Sequence, residues 1–333
     1  MVVDHPSRVA DQSFEVTASD PPPPATTGYA VVAGEALIDL IETTIDGQAV
    51  FRPMVGGAPL NVAAGLARLG ATAYLVTSIS SDALGQRIWD LLGEVGVDRR
   101  ACRRVDVPTT LAVTSLRDAV PEFTFYGDPP SFAQVGPADL DEDLVAHATT
   151  LYCGSIALLY PPSRELAATA WATPGPLRIL DPNVRPRLLR DRAGLRHTIE
   201  EFASIADLVK LSEPDARTLF DLAPEAAARH LRAAGARAVV VTLGPSGAYA
   251  DTEAGAMTIP APRVQAIDTT GAGDACAAAL MYGLLTQGWP ADREAWRDLV
   301  DFATTAASLA CEVPGGATAM PTREAIQARR ARS

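Results

Sequence analysis

The chain has 333 residues, of which 48% are hydrophobic and 20% charged, proportions typical of a packed globular protein. Its formal net charge of -12 argues against a nucleic-acid-binding protein, because neutralising phosphates requires clustered basic residues and the chain has a single lysine, Lys210. No apolar run approaches the roughly 18 residues of a membrane span, and residues 1–27 lack the apolar core of a secretory signal. The four cysteines form no C-x-x-C pair. We therefore expect a cytoplasmic protein that binds neither nucleic acid nor membrane.

The first 27 residues differ in composition from the rest of the chain. They are polar and contain a run of four prolines, which predicts a disordered segment ahead of one folded domain at 28–330. From Tyr29 onwards, short apolar runs alternate with segments of helical periodicity, two of which are Pro59 to Gly70 and Leu84 to Val95. The predicted strands are Tyr29 to Ala33, Ala73 to Ile79, Thr150 to Cys153, Arg178 to Leu180, Asp207 to Leu211 and Ala238 to Leu243.

This alternation of strand and helix indicates an α/β fold with a doubly wound, largely parallel sheet flanked by helices. Two regions interrupt it, at about 36–55 and 106–132, where apolar and polar residues alternate with a period of two. The first contains Asp46-Gly47, a hairpin turn signal. We expect these regions to form a small β-strand lid beside the main sheet.

The segment 268–274, Asp-Thr-Thr-Gly-Ala-Gly-Asp, leads directly into an apolar, alanine-rich helical run. Gly271 and Gly273 allow the backbone to approach a ligand closely, and the free N–H groups of a helix start attract anions. Asp274 would lie on the first turn, where a carboxylate can accept a hydroxyl proton during phosphoryl transfer. The alternative is that Asp274 simply caps the helix.

Three further segments contain polar residues beside glycines. Asn61 follows Gly56-Gly57 near a helix start, where it could bind a sugar hydroxyl or cap the helix. Asp39 follows a strand, where it could accept hydrogen bonds from hydroxyls or remain a solvated loop acid. The apolar strand at 238–243 ends in a threonine–glycine segment that suits a nucleotide phosphate or a tight turn.

The two best-known phosphate-binding motifs are missing from the sequence. There is no G-x-x-x-x-G-K-[ST] segment, because Lys210 is followed by Leu211. There is no G-x-G-x-x-G segment, because Cys276 stands where the third glycine would be. A P-loop NTPase and a Rossmann dehydrogenase are therefore not indicated.

Together these segments resemble the phosphofructokinase-B (PfkB) family of ribokinase-like carbohydrate kinases, from Tyr29 to about Arg323. The resemblance rests on the segment from Gly56 to Asn61 and the segment from Asp268 to Asp274. The resemblance implies these roles: Asp274 as catalytic base, with Gly271, Ala272 and Gly273 as the anion hole; Asp39, Gly57, Asn61 and Arg185 in sugar binding; and Thr242, Gly244, Gly247 and Ser212 in nucleotide binding.

The resemblance also implies ATP and Mg²⁺ as cofactors. The family's N-x-x-E element, which organises Mg²⁺ through water, is replaced here by Ser212-Glu213-Pro214-Asp215. Asp215 is therefore the candidate for holding the metal through water, and Glu213 is its rival. Relatives often bind K⁺ near the positions of Asp268, Thr270 and Gly316, which leaves a K⁺ site open. Dimerisation through the lid strands is a further expectation.

Within the family, several segments look most like fructokinases, among them Asp181-Pro182-Asn183-Val184-Arg185. Many relatives carry an arginine where this chain has Gly127, and the lid segment 122–134 contains no lysine or arginine. Because a buried carboxylate needs a cation, we expect a neutral ketohexose to be preferred over 2-keto-3-deoxygluconate, unless Arg117 supplies the charge. The alternatives are a kinase for that sugar acid, ribose or a nucleoside, and a non-catalytic sugar- or nucleotide-binding regulator on the same fold.

Overall fold

The computed structural model describes residues 28–117 and 120–332, and within these it leaves out the side chains of residues 115–123. The segment 1–27, expected to be disordered, lies outside the described residues. The strands are β1 Tyr29–Ala33, β2 Leu37–Ile45, β3 Gln48–Gly56, β4 Thr72–Ser80, β5 Cys102–Val105, β6 Leu111–Arg117, β7 Val120–Tyr126, β8 Thr150–Gly154, β9 Leu177–Asp181, β10 Leu208–Ser212, β11 Ala238–Thr242, β12 Ala248–Thr252 and β13 Gly255–Ile259. The helices are α1 Ala58–Arg68, α2 Ala83–Glu94, α3 Glu142–Ala146, α4 Pro161–Ala172, α5 Arg192–Ala203, α6 Glu213–Phe220, α7 Pro224–Ala234, α8 Ala272–Gln287, α9 Arg293–Ala310 and α10 Arg323–Arg330.

Nine strands form the main sheet in the order β13-β12-β11-β10-β9-β8-β1-β4-β5. In this order, neighbouring strands from β11 through to β5 at the far edge are parallel, which confirms the predicted largely parallel sheet. The edge strands β12 and β13 are antiparallel, a hairpin extension that the periodicity did not predict. They follow a tight turn at Gly244–Ser246, and such turns allow the chain to reverse without a crossover helix.

Apolar residues on both faces of the main sheet are buried. Val31 and Val32 are adjacent on β1 and have no exposed surface, yet they belong to separate clusters. Successive side chains of a strand point to opposite faces, so a strand covered by helices on both sides is apolar throughout. Helix α8 is buried from Asp274 to Leu284, which explains its alanine-rich sequence.

A second sheet has the strand order β3-β2-β6-β7, and we call it the lid. Its two hairpins, β2–β3 and β6–β7, are antiparallel as predicted, and a parallel pairing of β2 with β6 joins them. Sequence periodicity finds each hairpin but cannot show that they share a sheet. No helix among the described residues is long and apolar enough to cross a membrane.

Candidate active site

A cavity of about 370 Å³ lies between the lid and the carboxyl ends of the main-sheet strands. Parallel α/β sheets commonly bind ligands at this edge. The lid contributes apolar residues, among them Ile41, Ala112 and Phe125. The charged and amide side chains that line the cavity are those of Glu35, Asp39, Asn61, Asn183, Arg185 and Asp274.

The cavity borders the N-terminus of α8. Gly271 is the residue before the helix and has φ 78°, a left-handed conformation that favours glycine. Because this residue has no side chain, it gives the first turn no side-chain cap. The Ala272 N–H donates to the Thr269 carbonyl at 3.3 Å. The N–H groups of Gly273 and Asp274 have no protein partner among the described residues, and free N–H groups at a helix start bind anions.

Asp274 is buried, with 5% of its surface exposed. Its Oδ2 accepts a hydrogen bond from Asn61 Nδ2 at 2.8 Å, and its Oδ1 accepts one from Asn183 Nδ2 at 3.1 Å. Burial raises the pKa of Asp274, while the hydrogen bond from Asn61 and the nearby charges of Lys210 and Arg185 act in the opposite direction. The carboxylate makes no capping hydrogen bond, so the helix-cap alternative does not describe its contacts.

Asn61 lies in the first turns of α1 and is also buried. Its side chain points to Asp274 rather than to the helix start, and its Oδ1 is a buried acceptor without a partner among the described residues. The preceding Gly57 has φ 110°, and a Cβ there would lie 2.5 Å from the Glu35 carbonyl oxygen. The chain can therefore enter α1 at this point only with glycine.

Asp39 occupies β2 of the lid and not a loop, and it lines the cavity. Burial raises its pKa to about 6, with the charge of Arg185 acting in the opposite direction and that of Asp274 adding to the rise. Its Oδ2 lies 2.0 Å from where a Cβ of Gly56 would be, so the carboxylate occupies space that glycine leaves free. A solvated loop acid would have neither property.

Arg185 is the one cation lining the cavity among the described residues. Its Nη1 donates to the side-chain oxygen of Asn183 at 2.5 Å and to the Asn183 carbonyl at 3.1 Å. Asn183, which has φ 39°, therefore orients both Arg185 and Asp274. Asn183 was not among the predicted site residues, although its place just after β9 was a usable signal.

The four predicted nucleotide-binding residues lie outside this cavity's lining. Ser212 and Thr242 are register partners at the carboxyl ends of β10 and β11. Gly244 and Gly247 have φ 56° and 99° in the following turn, and a Cβ at Gly247 would lie 2.0 Å from the Ile259 carbonyl oxygen. The structure thus brings the four together at the carboxyl ends of β10 and β11 and in the turn that follows.

Asp215 and Ser212 form a reciprocal capping box at the start of α6. Asp215 Oδ2 accepts from the Ser212 N–H at 2.8 Å and from Ser212 Oγ at 2.6 Å, and its Oδ1 accepts from the Val184 N–H at 2.8 Å. Its rival Glu213 pairs instead with Arg217 on the helix surface. The described residues contain no group of three or more His, Cys, Asp or Glu side chains placed to hold a metal directly.

Asp268 and Gly316 lie on loops that meet behind Gly271. Asp268 Oδ1 accepts from the Thr270 N–H at 2.9 Å, and its Oδ2 accepts from the Gly315 N–H at 3.0 Å. These contacts join the two loops for which a K⁺ site was left open.

Two buried groups near the cavity were not predicted as site residues. Glu35 accepts hydrogen bonds from the Ala58 and Ala157 N–H groups at 3.3 and 3.2 Å, and burial raises its pKa to about 7. Lys210 Nζ donates to Asp181 Oδ2 at 2.8 Å, and both side chains are almost fully buried. A lone lysine on a buried strand was the sequence signal for the second group.

The pfkB family carbohydrate kinase model matches residues 27–323. A fructokinase from Rhizobium leguminosarum bv. trifolii is 34% identical over 257 residues, which are 75% of this chain and 78% of that protein. A structure of fructokinase from Vibrio cholerae O395, with fructose, ADP and calcium ion bound, is 29% identical and has a TM-score of 0.81 over 91% of this chain and 99% of that one. The fructokinase from Xylella fastidiosa with bound ATP is 25% identical and has a TM-score of 0.82 over 91% of this chain and 98% of that one.

The family model covers nearly the whole described chain, including the lid, the start of α1 and the start of α8. The similar structures share the same arrangement of main sheet and helices. This chain therefore belongs to the pfkB family and is a carbohydrate kinase.

Proposed function

We propose that this protein transfers the γ-phosphoryl group of ATP to a hydroxyl of a neutral ketohexose, with fructose as the first candidate. The observation that carries the proposal is a buried carboxylate, Asp274, held by two amides at the uncapped start of α8. The similar proteins support the choice of reactants, because two are fructokinases seen with ATP or with fructose and ADP.

In this mechanism Asp274 accepts the proton of the sugar hydroxyl as that oxygen attacks the γ-phosphorus. The bond from the γ-phosphorus to the bridging oxygen breaks, and ADP leaves with that oxygen. The first-turn N–H groups of α8 stabilise the charge on the phosphoryl oxygens. Asn61 and Asn183 hold the carboxylate in place, so that it meets the hydroxyl in one orientation.

Mg²⁺ would neutralise charge on the nucleotide phosphates when bound. Asp215 would hold such an ion through a water molecule and not directly, because three protein donors already hydrogen-bond its two oxygens. Carboxylate oxygens have about four acceptor positions in total, so one remains for a metal-bound water. We assign Ser212, Thr242, Gly244 and Gly247 to the nucleotide, because they lie at the carboxyl ends of β10 and β11 and in the turn that follows β11.

Sugar binding is assigned to the lid side of the cavity. Asp39 and the free Oδ1 of Asn61 would accept hydrogen bonds from hydroxyls, Gly57 allows close approach, and Arg185 would donate. The cavity charges favour a neutral substrate, since Glu35, Asp39 and Asp274 face a single cation already bonded to Asn183. A sugar acid would add a further carboxylate to this group at a desolvation cost.

The lid also supports a proposal about assembly. Ile45, Phe51 and Tyr126 are each about half exposed on lid strands, and β3 and β7 are its edges. Apolar side chains beside open strand edges favour pairing with another sheet. We propose a homodimer formed through the lid. We also propose that a K⁺ ion can bind near Asp268.

The test is ADP release with Mg-ATP and a panel of fructose, 2-keto-3-deoxygluconate, ribose and a nucleoside. Fructose should give the highest kcat/KM. Asp274→Asn should fold as the wild type does and lose roughly 10²–10⁴-fold in kcat, because an amide cannot accept the proton. The control is Asp46→Asn at the exposed lid turn, where φ is 51° and asparagine is well tolerated.

Near wild-type turnover in folded Asp274→Asn would contradict the assigned base. Binding of sugar or nucleotide without turnover in the wild type would favour a regulator. A preference for the sugar acid that disappears in Arg185→Ala or Arg117→Ala would show that a cation selects the substrate.

A further inference from the structure

The ion pair between Lys210 and Asp181 lies in the interior, beneath the carboxyl edge of the main sheet. Lys210 is the middle residue of β10, and Asp181 is the last residue of β9. The side chains are 2% and 0% exposed, and Nζ lies 2.8 Å from Oδ2. A buried ion pair costs desolvation and is weak evidence of a role in stability, so its presence needs another explanation.

The ammonium group lies against the start of α8. A Cβ built on Gly273 would lie 3.0 Å from Lys210 Nζ, and beyond its own helix turn and chain neighbours it would meet no other described atom within 4 Å. Gly273 is therefore the residue of the first turn that faces the ammonium group, and its missing side chain leaves room for Nζ. Nζ has three N–H donors, and Asp181 is its only hydrogen-bond partner among the described residues.

The same charge acts on the neighbouring carboxylate. Lys210 lowers the pKa of Asp274 against the opposing effect of burial. Asp181 opposes this effect, because its charge and that of Asp274 repel each other. Burial raises the pKa of Asp181 to about 6, with the charges of Asp215 and Asp274 adding to the rise and Lys210 acting in the opposite direction. The pair thus contains one charge that favours ionised Asp274 and one that opposes it.

We propose that Lys210 and Asp181 form a positioning unit for the anion hole, in which the ammonium supports the first turn of α8 at Gly273 and keeps the Asp274 carboxylate ionised. Neither residue lines the cavity. The inference that this assists phosphoryl transfer rests on the proposed function, whereas the placement of the charge does not.

Several other groups act on Asp274 and must be held constant in a test. They are Asn61 on α1, Asn183 and Arg185 after β9, Asp39 on the lid, and Tyr152 on β8.

The experiment compares wild type with Asp181→Asn and with Lys210→Met/Asp181→Asn. The first variant keeps the ammonium and removes its counter-charge, and the second replaces the pair with neutral side chains. The readout is the carboxyl ¹³C shift of Asp274 between pH 4.5 and 9, assigned by its loss in Asp274→Asn. The midpoint should fall by roughly half a pH unit in Asp181→Asn and rise by roughly one unit in the double variant.

Shifts of opposite sign identify a charge effect, because a merely structural defect would not move the midpoint in two directions. The acid limb of the pH profile of kcat should follow the same two shifts. The KM for fructose should change by less than about 3-fold, because neither substitution alters the residues assigned to the sugar. Unchanged midpoints in folded variants would overturn the proposal. If the double variant does not fold, an unchanged or raised midpoint in Asp181→Asn is sufficient to overturn it. Expected midpoints in a wild type that phosphorylates no sugar would instead count against the proposed function.

Discussion

Asp39 can occupy the cavity only because residue 56 is glycine. A Cβ at Gly56 would lie 2.0 Å from Asp39 Oδ2, a distance that no pair of unbonded atoms tolerates. The carboxylate is the end of a short side chain, so it would rotate away while the hairpin stays paired. The contact links a glycine of the helix-start motif to a lid residue 17 positions earlier in the sequence.

We predict that Gly56→Ala raises KM for the sugar by roughly 10-fold or more and changes KM for ATP little, because it displaces one sugar-side acceptor. Steady-state kinetics with each substrate varied in turn measures both constants. Gly136→Ala is the matched control, since a Cβ there would meet nothing within 4 Å. An equal rise in both KM values would place Asp39 outside the sugar side.

At the scale of elements, α6 shows how a departure from the family pattern is accommodated. Ser212 and Asp215 cap the helix reciprocally, and Asp215 also holds the loop after β9 through the Val184 N–H. Asp215, which is shorter than the glutamate of the family's N-x-x-E element, is therefore held in place by these hydrogen bonds. The loop it holds carries Asn183 and Arg185, so the cap supports two cavity side chains.

We predict that Ser212→Ala lowers the free energy of unfolding by about 1 kcal/mol, the usual effect of losing a helix N-cap side chain. Ser212→Asn should remain within about 0.5 kcal/mol of wild type, because asparagine caps equally well. Urea unfolding followed by circular dichroism measures both differences. Equal losses in the two variants would mean that the Oγ contact with Asp215, and not the cap, supplies the stability.

At the scale of the whole molecule, three carboxylates in and beneath the cavity act against stability. Glu35, Asp39 and Asp181 all have pKa values raised chiefly by burial. A carboxyl group with a raised folded-state pKa binds more protons in the folded chain than in the unfolded chain. Its contribution to stability is therefore present at low pH and is lost as the pH rises through the folded-state pKa.

Asp39 permits a clean test because the structure gives its carboxylate no protein hydrogen bond among the described residues. Its folded pKa is about 6 against a reference of 3.8, so the loss falls between about pH 4 and 6. Asp39→Asn should be more stable than wild type by roughly 1–2 kcal/mol at pH 7 and nearly equal to it at pH 4. Unfolding free energies across this range measure the difference. A difference that does not vary with pH would refute the predicted titration.

The sequence by itself determined most strands of the main sheet, the two lid hairpins and the two glycine-rich helix starts. Strand and helix periodicities are local, and a helix preceded by glycine exposes its N–H groups wherever it lies, so β1, α1, β4 and α8 could be predicted within a few residues. The hairpin turn at Asp46-Gly47 is equally local. The family resemblance rested on these same segments.

Only the tertiary structure decided which side chains meet. Asn61 and Asp274 are 213 residues apart, and their hydrogen bond depends on how α1 and α8 pack. The contact of Lys210 with Gly273, the joining of the two lid hairpins through β2 and β6, and the antiparallel edge of the sheet likewise have no local signal. Such contacts follow from packing the chain as a whole, since burial and loop closure select one arrangement among many that the local pattern allows.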